Sequence, residues 1–94
     1  MMFEFTEVER SNFEDLLYEL RHAGYVTEAF YSPDGAEVKA SHTGPGGSTA
    51  VLVDFSRYGR KLMVRGRVQT PSGEDLEYIR LAPLMTYIRS SVRK

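Results

Sequence analysis

The chain has 94 residues, of which 41% are apolar and 27% charged, and it contains no cysteine. That length supports one hydrophobic core, so a single globular domain over residues 1–94 is expected. The composition excludes an intrinsically disordered chain, and the lack of cysteine excludes a disulfide framework or a thiolate zinc site. The longest uninterrupted apolar run, residues 50–53, is far too short to span a membrane.

Charge is divided between the two halves of the chain. Residues 1–47 carry nine acidic and three basic side chains, whereas residues 48–94 carry four acidic and nine basic ones, giving net charges of −6 and +5. Such dipolar charge affects partner choice and association rate more than the fold. The first residues lack the basic and then apolar segments of a secretory signal. A cytoplasmic protein without membrane association is therefore expected.

Residues 11–23 have the pattern of an amphipathic helix. Ser11 and Glu14 have the spacing of a capping box, and apolar residues with a helical period follow them. Gly24 then suits the left-handed conformation that commonly ends a helix. A short strand is predicted before the helix, over residues 2–8. The apolar stripe of the predicted helix consists of Phe13, Leu16, Leu17 and Leu20.

After the helix, the apolar period changes to two and turn residues recur, which predicts a meander of about five antiparallel strands. Pro33-Asp34-Gly35 is interpreted as a three-residue hairpin loop, which places Phe30 opposite Val38. Residues 43–47 form the next predicted loop, and residues 57–60 form a tight hairpin turn. The predicted inner face of the sheet consists of Val26, Phe30, Val38, Ala40, Val51, Val53, Phe55, Leu62, Val64, Val68 and Leu76.

In the later hairpins, the predicted register places apolar residues opposite apolar ones and opposite charges across from each other. This restricts the register, because a one-residue slip would invert both faces. The third hairpin loop is predicted at residues 71–73. The predicted cross-strand partners are Val53 with Val64, Phe55 with Leu62, Val68 with Leu76, Arg67 with Glu77 and Gly66 with Tyr78.

A second helix is predicted to begin at Pro83, since proline is favoured at the first helical position. Leu84, Ile88 and then Ser91 and Val92 give it a narrow apolar stripe, and residues 89–94 form a basic tail that is expected to fray. The fold class is therefore α+β, an antiparallel meander with one helix before it and one after it. Residues 1–10 are expected to form the N-terminal strand or arm.

Neither histidine has a spacing typical of a metal site or a catalytic pair. His22 is interpreted as a surface residue at a helix end, and His42 as a partly buried strand residue. The glycine-rich loop over residues 44–49 lacks both the lysine and the following helix of a phosphate-binding loop. We therefore expect no catalysis, no cofactor and no metal.

One hairpin concentrates basic residues around an aromatic one, a combination that can follow a phosphate backbone and stack a base. Nucleic-acid binding through this hairpin is therefore an alternative function, although acidic residues from the rest of the chain can also screen these charges. The candidate residues are Arg57, Tyr58, Arg60, Lys61, Arg65 and Arg67.

A non-catalytic binding or regulatory protein is the favoured function. Small proteins without catalytic residues include inhibitors of host systems, such as phage-type inhibitors, and immunity proteins. Apolar residues remain on the predicted outer face of the sheet, and interfaces are rich in aromatic residues and arginine. We expect either the second helix or another subunit to cover them, so a homodimer and a monomer are both open. The candidate interface residues are Tyr25, Tyr31, Leu52, Met63, Ile79 and Leu81.

Overall fold

Two helices and one five-stranded sheet make up the structure, a computed structural model that describes residues 5–90. The strands lie in chain order and every neighbouring pair is antiparallel. The predicted α+β class, with one helix before a five-stranded meander and one after it, is confirmed. The elements are α1 (Glu7–His22), β1 (Val26–Ser32), β2 (Gly35–Gly44), β3 (Gly47–Tyr58), β4 (Lys61–Gln69), β5 (Asp75–Tyr78) and α2 (Leu81–Ser90).

Helix α1 begins one turn earlier than the sequence predicts. Thr6 is the N-cap, and its Oγ1 accepts a hydrogen bond from the Glu9 backbone N at 3.3 Å. The Thr6 backbone N in turn donates to Glu9 Oε1 at 2.9 Å, which completes a capping box. The predicted box at residues 11–14 has the same spacing but lies inside the helix. The predicted N-terminal strand is therefore wrong at residues 5–8, since residues 5–6 are not in a strand and residues 7–8 are helical, and its residues 2–4 lie outside the described range.

The end of α1 follows the prediction. Gly24 has a φ of +92°, and the backbone N of Tyr25 donates to the Leu20 carbonyl at 2.9 Å. The Gly24 N also donates to the Arg21 carbonyl at 3.0 Å, so both hydrogen bonds of a Schellman ending are present. This ending turns the chain sharply into β1. It also places Tyr25 in the core, where only 6% of the residue is exposed.

The predicted register of the first hairpin is wrong by one residue. Its loop has two residues rather than three, so Ser32 pairs with Gly35 and Phe30 with Glu37. Gly35 is needed because the backbone of β3 lies close to it, not because its φ is positive. A Cβ at Gly35 would lie 1.9 Å from the carbonyl oxygen of Phe55. Because side chains alternate along a strand, the one-residue shift turns Val26 and Phe30 to the outer face.

The other two predicted registers keep every side chain on its predicted face. The β3–β4 turn is Gly59-Arg60, so Val53 pairs with Gly66 rather than Val64, a shift of two residues that preserves the face. The β4–β5 register is confirmed in full. Its pairs are Gly66 with Tyr78, Arg67 with Glu77, Val68 with Leu76 and Gln69 with Asp75.

Both helices pack on the same, inner face of the sheet. A Cβ at Gly66 would lie 2.8 Å from Leu84 Cδ2, so α2 lies directly on β4 there. Arg89 Nε also lies 3.1 Å from Glu19 Oε2, which joins the two helices. Of the two expected covers of the outer face, the second helix or another subunit, the helix is therefore wrong. The buried core is Phe13, Leu16, Leu20, Tyr25, Ala36, Val38, Ala40, Val51, Val53, Phe55, Val68, Leu84 and Ile88.

Helix α2 starts at Leu81, so Pro83 is its third residue and not its first. Proline still fits there, because the backbone N–H groups of the first helical turn have no partner within the helix. The predicted stripe residues Ser91 and Val92, and the tail over 91–94, lie outside the described residues. Within residues 5–90, neither helix is long and apolar enough to cross a membrane.

Candidate functional site

The outer face of the sheet is the candidate site, because no element within residues 5–90 covers it. It carries apolar side chains between charges of both signs. Several of these apolar residues are well exposed: Val26 at 72%, Phe30 at 46% and Met63 at 48%. The charged and apolar residues of the outer face are Val26, Glu28, Phe30, Glu37, Lys39, Leu52, Asp54, Lys61, Met63, Arg65, Arg67, Asp75 and Glu77.

A shallow depression of about 470 Å³ lies on this face over the middle strands. Leu52 is the largest apolar side chain of the outer face in its lining, with Lys39 on the neighbouring β2 position and Arg67 on the neighbouring β4 position. Ala50 lies one pleat further along β3, and its small side chain keeps the surface low there. Asp75 contributes a carboxylate to the lining. The arrangement is an apolar centre with a cation on each side, and it is open to a partner's side chain.

The cations beside the depression are not neutralised within the described chain. Arg67 pairs with Glu77 across the strands, as predicted, but Glu77 Oε2 accepts its hydrogen bond from Arg65 Nε at 2.9 Å instead. Lys39 Nζ lies 5.5 Å from the centre of the Phe30 ring, which is a cation–π distance, and it forms no ion pair with Glu28, its cross-strand neighbour. Among residues 5–90, neither Lys39 nor Arg67 forms an ion pair.

The predicted basic hairpin is divided between the two faces of the sheet. Arg57 lies on the inner side, where its guanidinium contacts the Glu9 carboxylate of α1. This contact lowers the pKa of Glu9 below its usual value, with the hydrogen bonds from Thr6 acting in the same direction and burial opposing both. Tyr58, Arg60 and Lys61 are exposed at the turn. The six candidates therefore do not form one continuous basic surface.

The predicted interface residues also separate. Leu52 and Met63 lie on the outer face as predicted, and Ile79, just after β5, is 75% exposed. Placing Tyr25 on the outer side was wrong, since that residue belongs to the core. Tyr31 is on the inner side, 5.9 Å from Phe13 between ring centres.

Leu81, the first residue of α2, was also expected on the outer face, and this was wrong as well. It is half-buried against the core. The sequence shows it as one more apolar residue after a strand, but the helix that begins there carries it onto the inner side.

Phe30 was missed as a surface residue because the predicted loop length turned it inward, and Lys39 was not among the predicted site residues. A usable signal was present in the sequence. With a two-residue loop, Glu28 comes directly opposite Lys39, an opposite-charge pair that favours this register over the predicted one.

The histidines occupy positions that packing alone explains. His42 lies between two glycines: Cβ atoms at Gly24 and Gly44 would each come within 3.3 Å of its ring. Its ring centre is 5.4 Å from that of Tyr25. His22 stacks on Tyr18 at 5.7 Å on the surface of α1. In the part of the chain that the structure describes, no group of three or more histidine or carboxylate residues is arranged to hold a metal ion.

No protein-family model, curated protein or solved structure matches this chain. The chemistry and geometry of the outer face are therefore what identify it as a candidate binding surface.

Proposed function

We propose that this domain is a non-catalytic protein-binding module and that the outer face of the sheet is its binding surface. The observation that carries this proposal is the depression lined by Leu52, Ala50 and two cations, Lys39 and Arg67, that form no ion pair among residues 5–90. Arginine beside an apolar pocket is a typical anchor of protein interfaces. A regulatory role, such as inhibition of the bound protein, is part of this proposal.

A simpler explanation is that the outer face is only solvated, as one face of an antiparallel sheet commonly is. Scattered exposed apolar residues need no special account. The outer face differs because Phe30, Leu52 and Met63 all lie on this one surface, on β1, β3 and β4, rather than singly around the molecule. Apolar side chains grouped on one surface among polar ones are typical of an interaction site.

The lining of the depression defines what the partner presents. An apolar side chain of the partner fits over Leu52, and a neighbouring carboxylate fits between Lys39 and Arg67. Asp75 at the rim disfavours a partner that is acidic throughout, because like charges in an interface cost free energy. The expected partner surface is therefore apolar with one or two acidic residues.

Affinity capture with matched variants tests this proposal. Ala50→Lys fills the depression with a long charged side chain, while Ala82→Lys makes the same change at an exposed position on α2. A specific protein partner is captured by the wild type and by Ala82→Lys, and its affinity, measured with purified components, falls at least tenfold for Ala50→Lys. Equal affinity of the partner for all three proteins would contradict the outer face as the binding surface.

Nucleic-acid binding by the basic hairpin is the second candidate. Lys61, Arg65 and Arg67 on the outer side of β4 favour it, together with the exposed Tyr58. Against it, Arg57 and Arg65 contact carboxylates, and five acidic residues accompany four basic ones on the strands of the outer face. A phosphate backbone would meet repulsion along most paths across this surface.

Salt dependence separates the second candidate from the first. If the hairpin neutralises phosphates, the logarithm of the association constant falls with the logarithm of salt concentration, with a slope of roughly −0.7 to −0.9 for each phosphate contacted. Arg65→Glu together with Arg67→Glu would then abolish a gel shift. Failure of both single-stranded and duplex oligonucleotides to bind at low salt removes nucleic acid from consideration.

A further inference from the structure

The two edges of the sheet differ in how well they are protected. Strand β5 at one edge has only four residues, two of which are acidic, and short charged edges resist pairing with other chains. Strand β1 at the other edge has seven residues and a single charge, Glu28. It contains no proline, and valine, threonine, phenylalanine and tyrosine favour extended pairing. Within residues 5–90, no strand pairs with the free edge of β1.

The register shows which backbone groups β1 leaves unpaired. Arg57 N donates to the Asp34 carbonyl, so that carbonyl faces β3 and the groups of the next residue, Gly35, face β1. Backbone groups alternate in direction along an antiparallel strand. The N–H and C=O groups that point to β2 are therefore those of Ser32, Phe30, Glu28 and Val26. Those of Thr27, Ala29 and Tyr31 point away from the sheet.

We propose that two copies of this chain pair through β1, antiparallel about a two-fold axis at Ala29, and form one continuous ten-stranded sheet. This inference goes beyond the proposed binding function, and its hydrogen bonds lie at the edge of the sheet, although Lys39 belongs to both surfaces. Ala29 pairs with its own symmetry mate, and Thr27 of each copy pairs with Tyr31 of the other. Because all three residues direct their N–H and C=O groups outward, every one of these groups gains a hydrogen bond in this register.

The charged side chains are complementary in the same register. Glu28 comes opposite Phe30 of the second copy, and Lys39 of that copy lies over this Phe30 ring. Each Glu28 carboxylate is therefore placed beside a lysine of the other copy, and the two-fold axis produces this contact twice. Opposite charges at neighbouring cross-strand positions stabilise a sheet.

Side chains on the inner side of the axis also favour a second copy. Arg21 of α1 contacts Thr27, with Nε 3.2 Å from Oγ1, and Phe13 contacts Tyr31, so α1 runs antiparallel along β1. Ala29 is exposed although it points to the helix side, and Tyr31 is 48% exposed. The edge therefore offers apolar surface on both faces of the strand, and a second copy covers both together.

Disulfide trapping tests this geometry directly, because the chain has no cysteine of its own. Opposed residues of a hydrogen-bonded antiparallel pair lie about 5.5 Å apart between Cα atoms, which is within the disulfide range of roughly 4.4–6.8 Å. Ala29→Cys is expected to form a covalent dimer rapidly under mild oxidation. Ala50→Cys, another exposed strand alanine, should cross-link only at the slow rate of random collision.

The oligomeric state of the protein without introduced cysteines provides a second, independent measurement. Sedimentation at high micromolar concentration is expected to give twice the monomer mass of 10.7 kDa for the wild type. Ala29→Lys, which places two cations face to face, should give the monomer mass with an unchanged circular dichroism spectrum. Ala50→Lys should remain dimeric, which separates the edge from the outer face and this proposal from the proposed partner binding.

Hydrogen exchange identifies the strand groups involved. In the dimer, the amides of Thr27, Ala29 and Tyr31 are protected, and Ala29→Lys removes that protection while the amides facing β2 stay protected. A monomeric wild type overturns the proposal, and so does a dimer that Ala29→Lys leaves intact. Protected amides in a monomer would mean that another segment of the same chain covers the edge, and this too overturns the dimer.

Discussion

The two faces of the sheet are built from alternating residues of the same five strands, yet they have opposite environments. Phe55 on the inner face is 2% exposed, whereas Phe30 on the outer face is 46% exposed. Arg57 on the inner side contacts Glu9 at 26% side-chain exposure, whereas Arg65 on the outer side contacts Glu77 at 65%. Residue type is the same in each comparison. What differs is whether a helix lies over that face.

This comparison explains why composition is a poor guide to the surface of this domain. Both helices are committed to one side, so the apolar residues of the other side remain exposed whatever their hydrophobicity. The outer face contributes none of the buried core, so the proposed binding surface is not required for the packing of the fold. Substitutions on the two faces should therefore differ in their effect on stability, and three predictions test this difference.

The largest expected difference is between two leucines. Leu16 of α1 is fully buried between the helix and the sheet, so Leu16→Ala is expected to lower the free energy of unfolding by about 2–5 kcal/mol. Leu52→Ala on the outer face should cost less than about 1 kcal/mol, because Leu52 is covered on one side only. Half-buried Leu17 should fall between them. Urea denaturation measures all three, and equal losses for Leu16 and Leu52 would mean that the outer face is covered in solution.

A smaller effect is expected from a methyl group added between the sheet and α2. In Gly66→Ala, the new Cβ would lie 2.8 Å from Leu84 Cδ2, and inserting a methyl into a packed core costs about 1–3 kcal/mol. The low end of that range is expected, because the contacted atom is the end of a side chain. Gly46→Ala is the control, since no atom lies within 4 Å of its Cβ. Thermal unfolding compares them; equal stability of Gly66→Ala and wild type would show that α2 does not lie on β4.

The smallest expected effects concern the Arg57–Glu9 and Arg65–Glu77 ion pairs and their dependence on pH. Because Arg57 lowers the pKa of Glu9 in the folded protein, the unfolded chain binds a proton at higher pH than the folded one does. The stabilisation is therefore complete above the ordinary value of 4.5 and is lost as pH falls through the lower, folded value. Glu9→Gln should destabilise the protein at pH 7, and the difference from wild type should shrink on acidification.

Glu77→Gln is the matched control for this measurement on the outer face. An exposed ion pair contributes roughly 0–1 kcal/mol, so its removal should change stability little at any pH. Denaturation curves recorded at several pH values compare the two variants. A pH-dependent loss of the same size for Glu77→Gln would contradict the difference between the faces.

The fold was predictable wherever local signals agreed with one another. The Schellman ending at Gly24 and the β4–β5 register both depend on residues close in sequence, and both are confirmed. The register of the first hairpin was not predictable in the same way. A glycine at position 35 is compatible both with a positive φ in a three-residue loop and with a close approach of its backbone to Phe55. Only the packing of β3 against Gly35 decides between these two roles of the glycine. A one-residue error in the loop length then assigns every side chain of β1 to the wrong face of the sheet.

The candidate site was predictable only in part for a related reason. The outer positions of Leu52, Met63 and Arg67 follow from the apolar pattern of β3 and β4. Which cations are neutralised depends on contacts between distant segments. Arg57 contacts Glu9 because Thr6 is the N-cap of α1. The sequence contains two equivalent capping boxes and does not show which of them starts the helix.

The chain order of the sheet has a consequence for how the protein folds during synthesis. Each strand pairs with the strand made just before it, so loop closures are short and the meander can assemble hairpin by hairpin as it is made. Its inner face is complete only when α2, the last element, adds Leu84 and Ile88. A chain still held on the ribosome near residue 80 would have its strands and α1 but would expose apolar surface around Gly66. Protection from aggregation is therefore needed most in the interval before the ten residues of α2 emerge.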